Sequence, residues 1–212
     1  MKDVWPAVRA ERSALITDLA GLTDQQWETP SLCAGWSVHD VVAHIVASAK
    51  TSKLGFAWEF ARARFDFDRF TAEGVERERA ERPAETLDRL RAVLDRTVSP
   101  PAPADSRLVE MIVHGEDIRR PLGLSRAYPQ EAVADALRLQ IRTSEGFGGG
   151  KELVAGLALV ADDADFTAGT GPEVRGSLLA LLLVASGREV AAVELRGSGV
   201  GTLRERLANL AR

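Results

Sequence analysis

The sequence predicts an α+β fold: a helical bundle over residues 1–147, then a small α/β subdomain over 151–212. Three observations carry this. Apolar residues recur at helical spacing through the first two thirds of the chain. The triplet Gly148-Gly149-Gly150 then interrupts the pattern and reads as a hinge. Beyond it, short alternating apolar runs appear between glycine- and proline-rich turns.

Each element has its own signal. Trp5, Val8, Leu15, Leu19 and Leu22 repeat near a 3.6-residue period and give a first helix. Thr23 and Gln26 are spaced as a capping box for a short helical turn before Trp27. Pro30 and Gly35 punctuate the loop that follows. Ser37 and Asp40 are spaced as a cap and its third helical residue, so a second long helix starts at about Val38. Phe65 to Arg82 alternates in charge and reads as a solvated helix face or loop. Leu87, Leu90, Val93, Leu94 and Val98 give a third helix, stopped by Pro100, Pro101 and Pro103. A fourth runs from about Ser106 to Arg120 and stops at Pro121; a fifth starts at Pro129 and carries Val133, Leu137 and Ile141. After the glycine triplet, Leu157, Leu159 and Ala161 alternate as a strand, and Ala168 to Pro172 is a turn. Pro172 and Glu173 suit the first turn of a helix through Leu183. Val190, Val193 and Leu195 suggest a strand, and Leu203, Leu207 and Leu210 a final helix.

Composition excludes several classes. A chain of 212 residues that is 45% hydrophobic and 27% charged has the make-up of a soluble globular protein. One cysteine rules out an intrachain disulfide and any four-cysteine zinc module. A net charge of -4 argues against a general nucleic-acid footprint. The charged N-terminal segment lacks the apolar core of a signal peptide, and Leu178 to Ala185 is too short to span a bilayer. The expectation is a cytoplasmic monomer or homodimer with no nucleic-acid or membrane partner.

The fourth helix holds the candidate chemistry. Leu108, Val109, Met111, Ile112 and Val113 cover most of its circumference, so it is buried. Yet Glu110, His114 and Asp117 fall on one stripe, at i, i+4 and i+7. Ionisable groups inside a buried helix need partners or a metal. A glutamate and a histidine four apart lie about 6 Å from each other at Cβ, close enough to share one divalent ion. A plain Glu110–His114 hydrogen bond satisfies the same spacing. Asp117 is placed to orient His114 from behind, or to assist Arg119 and Arg120. A third ligand would come from the second helix, where small residues flank His44, although a core histidine bonded to a carbonyl fits there too. His39 lies about 140° round that helix from His44 and reads as an exposed residue of the first turn. Cys33 has no strongly cationic sequence neighbour and reads as a small apolar loop residue rather than a thiolate. Trp27 and Trp36 read as anchors of the loop.

Together these segments resemble one family. Trp27-Glu-Thr-Pro-Ser-Leu-Cys-Ala-Gly-Trp36-Ser-Val-His-Asp-Val-Val-Ala-His44 is similar to the N-terminal signature of mycothiol-dependent maleylpyruvate isomerase-like proteins, within the DinB-like group of metal-binding bundles. Glu110 to Arg120 resembles its second signature; Ala161 to Phe166, Gly171 to Gly176 and Ser186 to Arg188 resemble its C-terminal region. The resemblance implies a DinB-like up-and-down four-helix bundle with a metal, usually zinc, held by His44, Glu110 and His114. It also implies a thiol cosubstrate, mycothiol, activated for attack on a small electrophile, with Arg119 near the thiol. An isomerase or transferase is therefore expected. The residues alone also allow a non-catalytic metal- or ligand-binding protein, or a metal-assisted hydrolase with Asp117 as its base.

Overall fold

Helix α1 (Trp5–Leu19) carries Pro6 in its first turn, where the fixed φ of proline is at home, and buries Val8, Leu15 and Leu19 along one stripe. The computed structural model describes residues 3–210, and these divide into two units between Arg126 and Ala127. In the first unit, Thr23 and Gln26 form the expected capping box at α2 (Asp24–Trp27). Ser37 and Asp40 form the second at α3 (Val38–Lys50). Helices α6 (Pro83–Ala92) and α7 (Ser106–Arg119) complete a four-helix bundle: α1 packs on both, and so does α3. Its core is Leu15 and Leu19, Val41, Val42, Ile45 and Val46, Leu90, and Met111, Ile112 and Ile118. Each large aliphatic removed from water contributes roughly 1.5–3 kcal/mol, so this apolar centre is what fixes the helices that carry the site.

The second long helix is interrupted. Thr51 turns to an extended conformation, and Ser52 caps a separate helix, α4 (Lys53–Arg62), by accepting from the Gly55 amide at 3.0 Å. The charge-alternating segment is helix α5 (Phe67–Glu78), which packs on α3 through Gly74 and Val75. Its buried Glu78 is paired with Lys50 at 2.7 Å.

A buried cation closes the end of α6. Arg12 is 2% exposed, and its Nη1 donates to the carbonyls of Val93, Leu94 and Arg96 at 3.0, 3.4 and 2.8 Å. The three carbonyls lie just past the end of the helix, where the intrahelical ladder no longer serves them; Val93 O also accepts from the Arg96 amide at 3.1 Å. Burial pushes the Arg12 pKa down, and the Glu110 charge pulls it back up.

The second unit packs α8 (Gln130–Gln140) on α9 (Leu178–Ala185). Its three-stranded mixed sheet has β1 (Ala158–Ala161) at the centre, antiparallel to β2 (Thr167–Ala168) and parallel to β3 (Glu173–Gly176). The last described element is α10 (Val200–Leu210). Among the described residues no helix is long and apolar enough to cross a membrane.

Four expectations differ from this unit. The bundle was expected to run to residue 147, but the units divide after Arg126, because α8 finds its apolar partner in α9. The glycine triplet is no hinge: Gly150 donates to Gln140 at 2.9 Å, and a Cβ there would collide with the Ala185 carbonyl. Glu173 begins a strand and not a helix, since Val174 alternates into the core and Ser177, accepting from Ala180 at 3.1 Å, is the cap of α9. Val190 and Val193 lie in a 3₁₀ turn, Glu189–Glu194, and Val193 is 77% exposed, so these valines share no buried face.

Candidate metal centre

The loop 28–37 is tied down by its backbone. The Trp36 amide donates to Cys33 O at 3.0 Å across a turn whose third residue, Gly35, has φ 78°. That left-handed angle favours glycine. Ser31 Oγ accepts from the Cys33 amide at 3.0 Å and donates to Trp36 O at 2.8 Å. The loop is then locked to α7, where the Leu32 amide donates to the Asp117 carbonyl at 3.1 Å. This carbonyl is available because its helical partner would be residue 121, a proline without an N–H.

Two helix stripes face this loop. From Val41 to Ala49, every residue of α3 is buried except His44 and Ser48. From Arg107 to Arg119, every residue of α7 is buried except Val109, Glu110 and His114. The imidazoles of His44 and His114 lie 4.9 Å apart, centroid to centroid. One turn along, Arg107 Nη1 donates to Ser48 Oγ at 2.5 Å. Half-open His44 thus meets half-open His114, and half-open Ser48 meets the buried Arg107. Trp36, from the loop, lies 5.2 Å from the His44 ring.

The Asp117 carboxylate is fully buried and accepts from His114 Nδ1 at 2.9 Å. With Nδ1 carrying the proton, the Nε2 lone pair of His114 is the one offered to a ligand. Cys33, His114 and Asp117 form a cluster whose donor atoms all lie within 4.8 Å of one another. Imidazole, thiolate and carboxylate are donors that hold zinc and similar divalent ions.

The expected site residues are placed as follows. His44 and His114 come together, and Asp117 stands behind His114. Glu110 turns instead to Arg107, with its carboxylate 2.5 Å from Nη1 and both side chains 9% exposed. Arg119, expected near the thiol, is 1% exposed and donates to Asp18 at 2.7 Å, so its guanidinium is spent inside the bundle joining α7 to α1. Cys33, read from sequence as an apolar loop residue, belongs to the donor cluster. Its only sequence signal was indirect, in the proline that ends α7.

His39 is buried, not exposed. Its Nε2 is 2.7 Å from Thr86 Oγ1, its Nδ1 is 3.4 Å from Glu28, and Trp27 packs edge-on at 5.4 Å. Burial, and then the Arg79 charge, push its pKa below the ordinary imidazole value. Below about pH 6.5 the unfolded chain therefore binds a proton that the folded one resists. The stability tied to neutral His39 is complete above that pH and is lost as pH falls below it. Thermal melts from pH 7.5 down to 5.5 should show a falling Tm in the wild type and a flatter profile in His39→Gln. Equal slopes would remove His39 as the cause.

The family described as Mycothiol maleylpyruvate isomerase N-terminal domain matches residues 8–119, just over half of the chain. No curated protein gives a significant match. Among solved structures, the crystal structure of the mycothiol-dependent maleylpyruvate isomerase is similar, with a TM-score of 0.64 at 18% identity, covering 92% of this chain and 91% of that one. A histidine-to-alanine mutant of that isomerase superposes with a TM-score of 0.65 at 17% identity and the same coverage.

Proposed function

Because the chain belongs to the mycothiol maleylpyruvate isomerase N-terminal domain family, we propose that it is a divalent-metal enzyme that activates a low-molecular-weight thiol for attack on a small electrophile, as an isomerase or S-transferase. The observation that carries this reading is the facing pair of imidazoles, His44 and His114, at 4.9 Å. Two imidazoles on one tetrahedral ion stand with centroids about 5 Å apart, given metal–nitrogen bonds near 2.0–2.1 Å. The residues therefore fit a metal. Zinc suits such donors, and three protein ligands leave a fourth position for a thiol. The family resemblance supplies Glu110 as the third ligand.

The chain's own side chains have distinct tasks. His44 and His114 hold the ion, and Asp117 fixes the tautomer and ring plane of His114. Trp36 walls the His44 side. When bound, the metal supplies acidity: a coordinated thiol is deprotonated at neutral pH and becomes a nucleophile. Mycothiol is the thiol of first choice, because the structurally similar isomerase is mycothiol-dependent. The reaction belongs in the cytoplasm, where low-molecular-weight thiols are kept reduced.

Metal analysis of the purified chain should find about one divalent ion per molecule. Mixed with mycothiol and a panel of small electrophiles, maleylpyruvate included, the protein should consume one of them. Chelation should abolish that turnover, and zinc should restore it. A chain that binds metal and thiol yet consumes no electrophile is a binding protein, and the enzymatic reading is then wrong.

A further inference from the structure

We propose that the outward face of helix α4 is a self-association surface, through which two copies of this chain pair about a two-fold axis. The inference is independent of the metal centre.

Helix α4 is apolar on two opposite faces. On one, Phe56 and Phe60 turn to α5, where both rings meet Phe70, at 5.2 and 6.1 Å. On the other stand Leu54, Ala57, Trp58 and Ala61, spaced i, i+3, i+4 and i+7, and all four are exposed. No residue of α4 is buried. A helix with two apolar faces suits two partners, and α5 supplies only one of them. Phe65 extends the exposed surface at the helix end. Its amide donates to Phe60 O at 2.9 Å and its ring packs on Phe60 at 5.6 Å, yet it is 74% exposed. Both Arg64 and Phe65 have φ 61°, a left-handed angle that favours glycine and strains a bulky side chain. The backbone thus bears strain to close α4 with an aromatic ring outside.

Area and charge select the occupant. With Leu54 85% and Trp58 72% exposed, these two and Phe65 present roughly 450 Å² of apolar surface. One side of a standard interface contributes about 800 Å², of which about 65% is apolar in homodimers, or about 500 Å². The face therefore matches what one partner of a stable dimer provides. From Lys53 to Arg69 four cations (Lys53, Arg62, Arg64, Arg69) stand against three anions (Glu59, Asp66, Asp68). Arg62 and Arg69 are already paired with Glu73, at 3.2 and 2.8 Å. So balanced a segment offers little to an anionic membrane, which is recognised by clusters of unopposed basic residues. It carries no net repulsion against its own copy beyond about one charge.

The stripe also suits two-fold symmetry, in which a patch must complement itself. An axis crossing α4 between residues 57 and 58 runs the two helices antiparallel. Leu54 then lies level with the partner's Ala61, a large side chain against a small one, and the two Trp58 side chains come to the centre. An aromatic anchor at the centre of a contact is where binding energy concentrates.

The test is sedimentation equilibrium of the full chain, up to about 100 μM. The wild type should reach twice the chain mass. Trp58→Glu and Leu54→Glu should each weaken association at least about thirtyfold, with unchanged far-ultraviolet circular dichroism, since both side chains are exposed. Val193→Glu, which removes an exposed valine of the second unit, should leave the dimer intact. A wild type that stays monomeric overturns the proposal. A dimer that survives both α4 variants, or that Val193→Glu dissociates equally, overturns this surface. If instead the monomer binds phosphatidylserine vesicles and Trp58→Glu abolishes that binding, the face is a membrane contact and self-association is rejected.

Discussion

Replacing Arg12 by methionine is expected to lower the unfolding free energy of the N-terminal unit by about 3 kcal/mol. Methionine keeps most of the buried stem, so the loss is that of a donor rather than of volume. The carbonyls of Leu94 and Arg96 would lose the donor that now satisfies them, while Val93 O keeps the Arg96 amide at 3.1 Å. A buried acceptor without a partner costs about 1–3 kcal/mol, and a bond from a charged donor lies at the upper end, so the short bond to Arg96 O dominates. A smaller effect works the other way: Arg12 Nε is buried with no partner, so removing the guanidinium also relieves a desolvated donor. Urea unfolding followed by tryptophan fluorescence reads the change cleanly, because Trp5, Trp27, Trp36 and Trp58 all lie in this unit. A change under about 1 kcal/mol would mean that water reaches those carbonyls as soon as the side chain is shortened.

Changing His114 to alanine is expected to leave the purified protein with less than about a tenth of the wild-type metal content, since it removes one of few donors. His44→Ala should do the same. Asp117→Asn should be milder, with metal affinity lower by about 10- to 100-fold, because the amide can still accept from Nδ1 but carries no charge to strengthen the imidazole. Competition against a chelator of known affinity separates these grades. Full metal content in His114→Ala would remove it from the ligand set. An Asp117→Asn variant as poor as His114→Ala would make Asp117 a ligand in its own right.

What the sequence disclosed follows the range of the interactions. The capping boxes at Thr23 and Ser37 have both partners three residues apart, so local spacing contains them. The spacing of Glu110, His114 and Asp117 on one stripe was legible for the same reason, and His114 and Asp117 do meet, at 2.9 Å. Glu110 shows the limit of spacing. Arg107 lies three residues before it and His114 four after, and either can meet it on a helix; only the surroundings choose. His39 was misplaced because its partner, Thr86, comes from another helix, and no local pattern announces that contact. The glycine triplet misled in the same way: three glycines read as slack chain, but Gly150 is required by the close approach of Ala185.

Pro121 carries no chemistry of its own, yet it shapes the centre by the amide it lacks. An alanine at that position would bring an amide able to claim the Asp117 carbonyl, and the Leu32 amide would then have a rival. Where α7 ends and where the loop is held are therefore a single decision, taken by one ring closure in the backbone. A comparison of homologues by their metal-binding side chains alone would overlook it. Substitution of this proline would be expected to loosen Cys33 and Trp36 together, with every ligand still in the sequence.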